Sequence, residues 1–273
     1  YPLLSLGHVG RANEFRRAFG AATCHDFFNF MAVAILLPLE LATGLLANLS
    51  ERMASAVGAG GGGKYPNPIK AGTKVAIEPI IRLTEAVSDN EKVSAVLLIL
   101  MSAGIIFLAL FFIVKVLRAL AATKMKSLIN RSLGKNAYIG MLVGVVVTVM
   151  VQSSSITTSV LVPLAAAGLV TIRQVFPITL GANIGTTLTA ILASMAAPPE
   201  TAQLAVQIAC VHLLFNVLGI IIIYVVPKIR EIPIRAAEKL AEVATKNKRH
   251  ALIYVVFLFY GLPGVLIAVS RWM

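Results

Sequence analysis

The stretch from residue 137 to residue 197 most constrains the fold, because it is almost free of charge. Arg173 is its only charged side chain, yet four consecutive polar residues, Gln-Ser-Ser-Ser at 152–155, stand in its middle. A segment inside a bilayer cannot leave backbone or hydroxyl groups unpaired, since each unpaired group costs several kcal/mol there. The polar run therefore needs a partner, which can be another helix, water or a bound ion.

The composition is that of an integral membrane protein. The chain is 58% hydrophobic and 13% charged, whereas about a quarter of the residues in a soluble domain are charged. The net charge of +12 does not indicate nucleic-acid binding, because the basic residues lie in short loops without interleaved aromatics. Such loops are typical of the cytoplasmic side of membrane proteins and of contact with anionic lipid headgroups. The sequence contains no nucleophile–base pair and no metal-ligand spacing, so we predict neither an enzyme nor a cofactor.

Apolar runs of about 20 residues, the length that crosses a bilayer, predict spans at 18–38, 93–114, 174–197, 201–226 and 251–269. Residues 137–172 differ, because two shorter apolar arms flank the polar run. We predict a re-entrant helical hairpin with a buried polar tip, and a single kinked span is the alternative.

Loop charges orient the spans. Loop 115–135 carries six basic residues and no acid, and segment 228–249 carries seven basic residues against three acids. The positive-inside rule places both in the cytoplasm and the balanced loop 51–91 outside. Segment 228–249 is also amphipathic, which predicts a helix lying along the membrane interface.

One sequence pattern occurs twice. His25 and Asn29 recur as His212 and Asn216, at a separation of 187 residues and within apolar helices that run in opposite directions through the membrane. Inverted repeats are typical of secondary transporters, and chance similarity of two apolar helices is the alternative. We predict that these four residues are helix-packing hydrogen-bond partners. Counterparts of the polar run would precede residue 1, so the chain is expected to be a C-terminal part of a transporter.

Two clusters of polar residues suit ligands of opposite charge. The Gly-Ala-Asn-Ile-Gly-Thr-Thr segment at 181–187 is expected to interrupt its helix, because its glycines allow unwinding or close backbone approach, and its side-chain oxygens suit Na⁺. Amide, hydroxyl and main-chain N–H donors at the hairpin tip suit an oxyanion. Arg173 is the only basic residue nearby, so we predict an anion accompanied by cations rather than an anion channel with rings of basic residues.

Asp26 is a further candidate for cation binding. It is the only acid between Arg16 and Pro38, and an acid within a membrane span is a functional hypothesis by default. The alternative is a structural Asp26 that is protonated, or neutralised by Arg16 and Arg17.

Together, residues 15–19, 25–29, 152–155, 181–187 and 212–216 resemble the type II sodium–phosphate cotransporter family, in the family's order. The resemblance implies an all-α polytopic membrane protein, an inverted-repeat secondary transporter with a re-entrant helical hairpin and broken helices. It implies sodium-coupled symport of inorganic phosphate across the plasma (inner) membrane. Its partners would be phosphate, Na⁺ and the lipid bilayer, with Na⁺ as the only metal. The short outer loop without cysteine resembles a bacterial member.

The resemblance also assigns residues to the two ligands. Phosphate binding falls to the tip residues Gln152, Ser153, Ser154 and Ser155. Sodium binding falls to Thr157, Thr158, Asn183, Thr186, Thr187 and Asp26. The presence of Asp26 implies electrogenic transport. The family has two such hairpins, whereas this chain has one.

These expectations divide the chain into five parts. They are the remainder of a first repeat (1–57), an outer loop (58–91), a span with its cytoplasmic loop (92–136), a second repeat with the hairpin (137–249) and a C-terminal span (250–273). Two other functions stay open. One is a membrane regulator of phosphate signalling, or a truncated remnant, that does not transport. The other is a sodium-coupled symporter of another oxyanion.

Overall fold

The computed structural model describes residues 2–8, 10–56, 78–79, 82, 91–120, 136–195, 197–198 and 200–270. All regular elements of this part of the chain are helical, which confirms the all-α class. The helices are α1 (Pro2–Ser5), α2 (Ala12–Thr43), α3 (Leu45–Ala56), α4 (Glu91–Leu120), α5 (Ala137–Val151), α6 (Ser154–Ala166), α7 (Ile172–Ser194), α8 (Ala202–Gly219), α9 (Pro227–Lys246), α10 (Arg249–Val256) and α11 (Leu262–Ser270). Most of the predicted outer loop 58–91, and residues 121–135 of the predicted cytoplasmic loop, lie outside the described residues.

Among the described residues, four helical stretches are long and apolar enough to cross a membrane. They are Ala12–Thr43, Ile172–Ser194, Ala202–Tyr224 and Arg249–Ser270. The last two run through π-helical turns, at Ile220–Tyr224 after α8 and at Phe257–Gly261 between α10 and α11. These four stretches coincide with four of the five predicted spans, and the fifth, 93–114, lies within α4. The chain is therefore a multi-pass membrane protein.

Helices α5 and α6 form the predicted hairpin. Gln152 ends α5 in the left-handed region (φ 52°, ψ 27°), which turns the chain back on itself. The side chain of Ser153 then accepts a hydrogen bond from the main-chain N–H of Ile156 and caps the start of α6. The two-helix hairpin is thus confirmed over a single kinked helix, and its insertion into a membrane stays a prediction.

The predicted break at 181–187 is wrong, because α7 is helical without interruption from Ile172 to Ser194. The glycines serve close approach instead of unwinding. A Cβ atom on Gly181 would collide with the main chain of Met141, and one on Gly144 with the main chain of Ile178. The order of these contacts shows that α5 and α7 run parallel, with backbones in contact where small residues recur every four positions.

Two further helix pairs pack in a reciprocal manner. Helix α2 packs on α9 and α3 packs on α8. Phe19 of α2 shares a core cluster with Ala241 of α9, while Val206 of α8 shares one with Ala54 of α3. Val206 lies 187 positions after Phe19, and Ala241 lies 187 positions after Ala54, which is the same separation as between the two sequence copies. These contacts are compatible with a pseudo-two-fold relation, and the inverted repeat itself stays a prediction.

The amphipathic segment forms α9, and its apolar face is covered by protein. Ile234, Ala237 and Ala241 are buried, whereas Leu240 is half-buried. This face packs on α2, so the helix has a protein partner along its apolar side. Its position at a membrane interface is still a prediction.

Candidate site at the hairpin tip and a polar strip along α2

The hairpin tip presents hydrogen-bond donors. The first turn of a helix leaves main-chain N–H groups without partners in the helix, and α6 begins directly after the left-handed Gln152. The Ser153 hydroxyl accepts from the N–H of Ile156 at 3.4 Å, and its own proton is still able to donate. The side chains at 152 and 155 are exposed and those of Ser153 and Ser154 are half-buried. The tip is therefore accessible to an anion and lined by neutral donors.

The hydroxyls behind the tip are packed between the two arms of the hairpin. Thr157 is fully buried, and its Oγ1 lies 3.0 Å from Oγ1 of Thr148 on α5. It also donates to the main-chain oxygen of Ser153 at 3.3 Å. Thr158 is buried beside it. Thr157 thus joins the arms and supports the turn, and Thr148 is a partner that sequence patterns did not identify.

Asn183 connects α7 to α2. Its Nδ2 donates to Oδ1 of Asn29 at 3.3 Å. The neighbouring hydroxyls turn back to their own helix, with Thr186 donating to the oxygen of Ala182 and Thr187 to that of Ile184. Of the three residues predicted to bind sodium on α7, Asn183 is the one whose side chain hydrogen-bonds to another helix in the described part of the chain.

The histidine and asparagine pairs of the two sequence copies make different hydrogen bonds. Asn29 contacts Asn183, and the Nε2 atom of His25 lies 3.2 Å from Oδ1 of Asp26. In the second copy, Nδ2 of Asn216 donates to the main-chain oxygen of His212 instead of to its ring. The two copies therefore differ in their hydrogen bonds although they share residue types.

Asp26 is buried, with 8% of its surface exposed, and its carboxylate is held from two sides. The Tyr254 hydroxyl donates to Oδ2 at 3.2 Å, opposite the His25 contact to Oδ1. Arg17 is engaged elsewhere, since its Nε and Nη2 donate to the main-chain oxygen of Ala166 at the end of α6. Tyr254 is a second partner that sequence reasoning missed, since it lies 228 positions from Asp26.

Asp26 and Asn29 line one cavity of about 240 Å³ beside the C-terminal helices. Asn29 also holds Asn183, so the structure gathers Asp26, Asn29 and Asn183 into a polar strip along α2. The rest of the cavity wall is apolar, formed by Phe30, Leu258, Phe259 and Leu262.

The tip and this strip lie at two levels. Thr148 of α5 faces Gly185 of α7, and the two helices run parallel. Gln152 therefore lies level with the turn of α7 that follows Asn183, about 9 Å further along the helix axis at 1.5 Å per residue. Asn183 and the tip residues are thus close but separate, whereas the predicted sodium residues Thr157 and Thr158 lie directly behind the tip on α6.

Comparison with known proteins decides the family. Residues 105–264 match the model of the Na+/Pi-cotransporter family, which is more than half of the chain. The chain belongs to the Na+/Pi-cotransporter family. The sodium-dependent phosphate transport protein 2A of Ovis aries is 31% identical over 98% of this chain and 52% of its own length. Protein 2C of Rattus norvegicus is 31% identical over 96% and 55%, and protein 2B of Bos taurus is 28% identical over 98% and 51%.

The chain of this Na+/Pi-cotransporter family member spans about half the length of the curated relatives it matches. No solved structure matches it. The match confirms the family that the sequence motifs indicate, whereas a bacterial origin and the second hairpin stay predictions. The matched region includes the hairpin tip and Asn183, and the longer alignments with the three relatives cover nearly all of the chain.

Proposed function

We propose that this member of the Na+/Pi-cotransporter family moves inorganic phosphate across the plasma membrane together with Na⁺. The observation that carries the proposal is the hairpin tip, where a left-handed Gln152 and the start of α6 bring neutral donors together within an apolar bundle. Helix N-termini of this kind face anionic groups of the substrate in secondary transporters. The names of the relatives, which are sodium-dependent phosphate transport proteins, support phosphate as the anion.

The anion would be held at the tip by Gln152, Ser153, Ser154 and Ser155. Hydroxyl and amide groups orient a phosphate through hydrogen bonds but do not neutralise it. The described part of the hairpin, 136–170, contains no basic side chain. Charge balance therefore requires accompanying cations, which supports symport with Na⁺.

The cations would bind near the polar strip. Asp26 provides a carboxylate and Asn29 and Asn183 provide amide oxygens, which are hard oxygen ligands of the kind that Na⁺ prefers. The hydroxyls of Thr157, Thr158, Thr186 and Thr187 would complete sites between this strip and the tip. Because Asp26 brings a negative charge of the protein to the cation, we propose that transport moves net positive charge inward.

The test is uptake of labelled phosphate by the full-length protein in proteoliposomes. Ser154→Ala removes a donor to a charged group, a loss of about 1.5–3 kcal/mol, so the apparent phosphate affinity should fall at least about tenfold. Ser194→Ala is the matched control, since its hydroxyl bonds within α7 to the oxygen of Ile191. Equal uptake by both variants would contradict the assignment of the tip.

Two further measurements separate the competing functions. Asp26→Asn should reduce phosphate-evoked current more than phosphate uptake, because it removes charge and keeps shape. An excess of sulfate or a dicarboxylate should leave phosphate uptake unchanged, and strong competition would indicate a symporter of another oxyanion. Absence of Na⁺-dependent uptake by the unmodified protein would favour a membrane protein that does not transport.

A further inference from the structure

A cavity of about 610 Å³ lies at the end of the hairpin opposite its tip. It is lined by α2, by the turn that joins α6 to α7, and by α9. Its wall carries the charged residues Arg16, Arg17, Arg235, Glu238, Lys239 and Glu242. The length of α6 separates it from the Gln152 turn by about 20 Å at 1.5 Å per residue. It is therefore a different place from the proposed transport site.

The positive charge of this cavity is only partly compensated. Glu242 is engaged by Lys246, whose Nζ lies 3.0 Å from Oε1, and the hydrogen bond from Lys246 is the main cause of the lowered pKa of Glu242. Within the described ranges, Arg16 and Lys239 make neither an ion pair nor a hydrogen bond. Both are exposed to the cavity. Two cations from different helices thus face one space, where their charges help to lower the pKa of Glu242. With Glu238 as the second carboxylate, the wall carries four basic and two acidic side chains.

Two other side chains add to the positive electrostatic potential of the cavity. Arg17 donates to main-chain oxygens at the end of α6 and keeps its guanidinium at the cavity wall. Arg235 approaches Glu231 only to 4.0 Å, at the limit of an ion pair. The start of α7, fixed by the capping box of Thr171 and Gln174, directs the positive end of its helix dipole toward the same space.

We propose that this cavity binds a phosphate group carrying at least one negative charge. Two sources share that chemistry, the headgroup of an anionic phospholipid and inorganic phosphate. Basic pockets between membrane helices on the cytoplasmic side are suited to anionic headgroups, and loop charge predicts that α9 lies on that side. Val170 and Ile172 give the cavity an apolar wall beside its charges, where an acyl chain would leave.

The test compares two double variants of the purified full-length protein in detergent. Arg16→Gln with Lys239→Gln removes two cations of the cavity wall that form no close ion pair within the described residues. Arg52→Gln with Lys228→Gln, at exposed positions outside the cavity, removes the same charge elsewhere. Native mass spectrometry measures binding of phosphatidylglycerol, with phosphatidylcholine as the neutral lipid. Equilibrium binding of labelled inorganic phosphate is measured in K⁺ without Na⁺, so that a sodium-dependent site is silent.

Each lost cation should weaken binding about fivefold and both about 25-fold, from roughly 1 kcal/mol per basic residue. Loss of phosphatidylglycerol binding alone would assign the cavity to a lipid headgroup, and loss of phosphate binding alone would assign it to inorganic phosphate. Arg16→Lys with Lys239→Arg keeps both charges and should restore binding, which separates charge from misfolding. If both double Gln variants bind both probes equally, the proposal is overturned, whatever the outcome of the uptake experiments.

Discussion

The contact between α5 and α7 makes a prediction that the sequence motif alone would not. Gly140 and Gly144 are four residues apart on α5 and form one small-residue motif. A Cβ atom on Gly140 would lie 3.4 Å from Cγ1 of Ile178 and 3.7 Å from Cγ of Pro177, which are ordinary contacts. On Gly144 it would collide with the main-chain oxygen of Ile178 and lie 3.0 Å from the nitrogen of Ala182. The two glycines should therefore respond differently to the same substitution.

The size of the difference follows from two opposing effects. Replacing a helical glycine with alanine gains about 1 kcal/mol of helix propensity. At Gly144 the two backbones must also separate by about 1 Å to reach a normal contact distance, and overpacking of this kind costs about 1–3 kcal/mol. Gly140→Ala should thus be neutral or stabilising, while Gly144→Ala should lose up to about 2 kcal/mol. The two variants should differ by about 1–3 kcal/mol.

Thermal unfolding of the purified full-length protein in detergent measures this difference. Gly144→Ala should melt several degrees below Gly140→Ala, and Gly264→Ala, where a Cβ atom meets nothing within 4 Å, serves as a control outside the contact. Equal melting temperatures of the Gly140 and Gly144 variants would refute the backbone contact between α5 and α7.

Two other predictions concern polar contacts. Thr157→Val should destabilise the protein by about 1 kcal/mol, because it leaves the buried hydroxyl of Thr148 without its partner. Adding Thr148→Val should recover much of that loss in the same melting assay. A double variant that is less stable than Thr157→Val alone would contradict this prediction. Arg173 donates to Glu231 and thereby lowers the pKa of Glu231 below its ordinary 4.5. The stability from this pair is present above pH 4.5 and lost as the pH falls through the lowered pKa. The melting temperature of Glu231→Gln should therefore fall less on acidification than that of the unmodified protein. An equal fall would argue against the pair.

The hairpin could be predicted from the sequence because the residues that determine it are consecutive in the chain. Two apolar arms too short to span a bilayer surround a polar run, and such a run must form a turn where the helix ends. The same reasoning failed at residues 181–187, where glycine permits both unwinding and close approach. The deciding feature lies on another helix, where Gly144 accommodates the main chain of Ile178. A pair of small-residue motifs at equal spacing was visible in the sequence and favours contact over a break.

Asp26 shows a different limit. Its burial follows from the apolar sequence around it, but its partners do not. Tyr254 lies 228 positions away, and no periodicity relates the two residues. Arg17, which with Arg16 was one alternative for neutralising Asp26, donates to main-chain oxygens of α6. Pairings between distant helices depend on how the helices pack. Each residue of the polar strip could therefore be proposed from the sequence, but their contacts with one another could not.

The unbroken α7 relates the two levels of the candidate site to each other. Its glycines hold α5 by direct backbone contact, and its Asn183 holds Asn29 of α2. A continuous helix transmits displacement along its length, whereas a helix unwound at 181–187 would separate its two halves. A cation that draws Asp26, Asn29 and Asn183 together would therefore shift α7, and with it the hairpin that presents Gln152. Under the proposed assignment of ligands, the cation would act on the anion site through a rigid helix as well as through its charge.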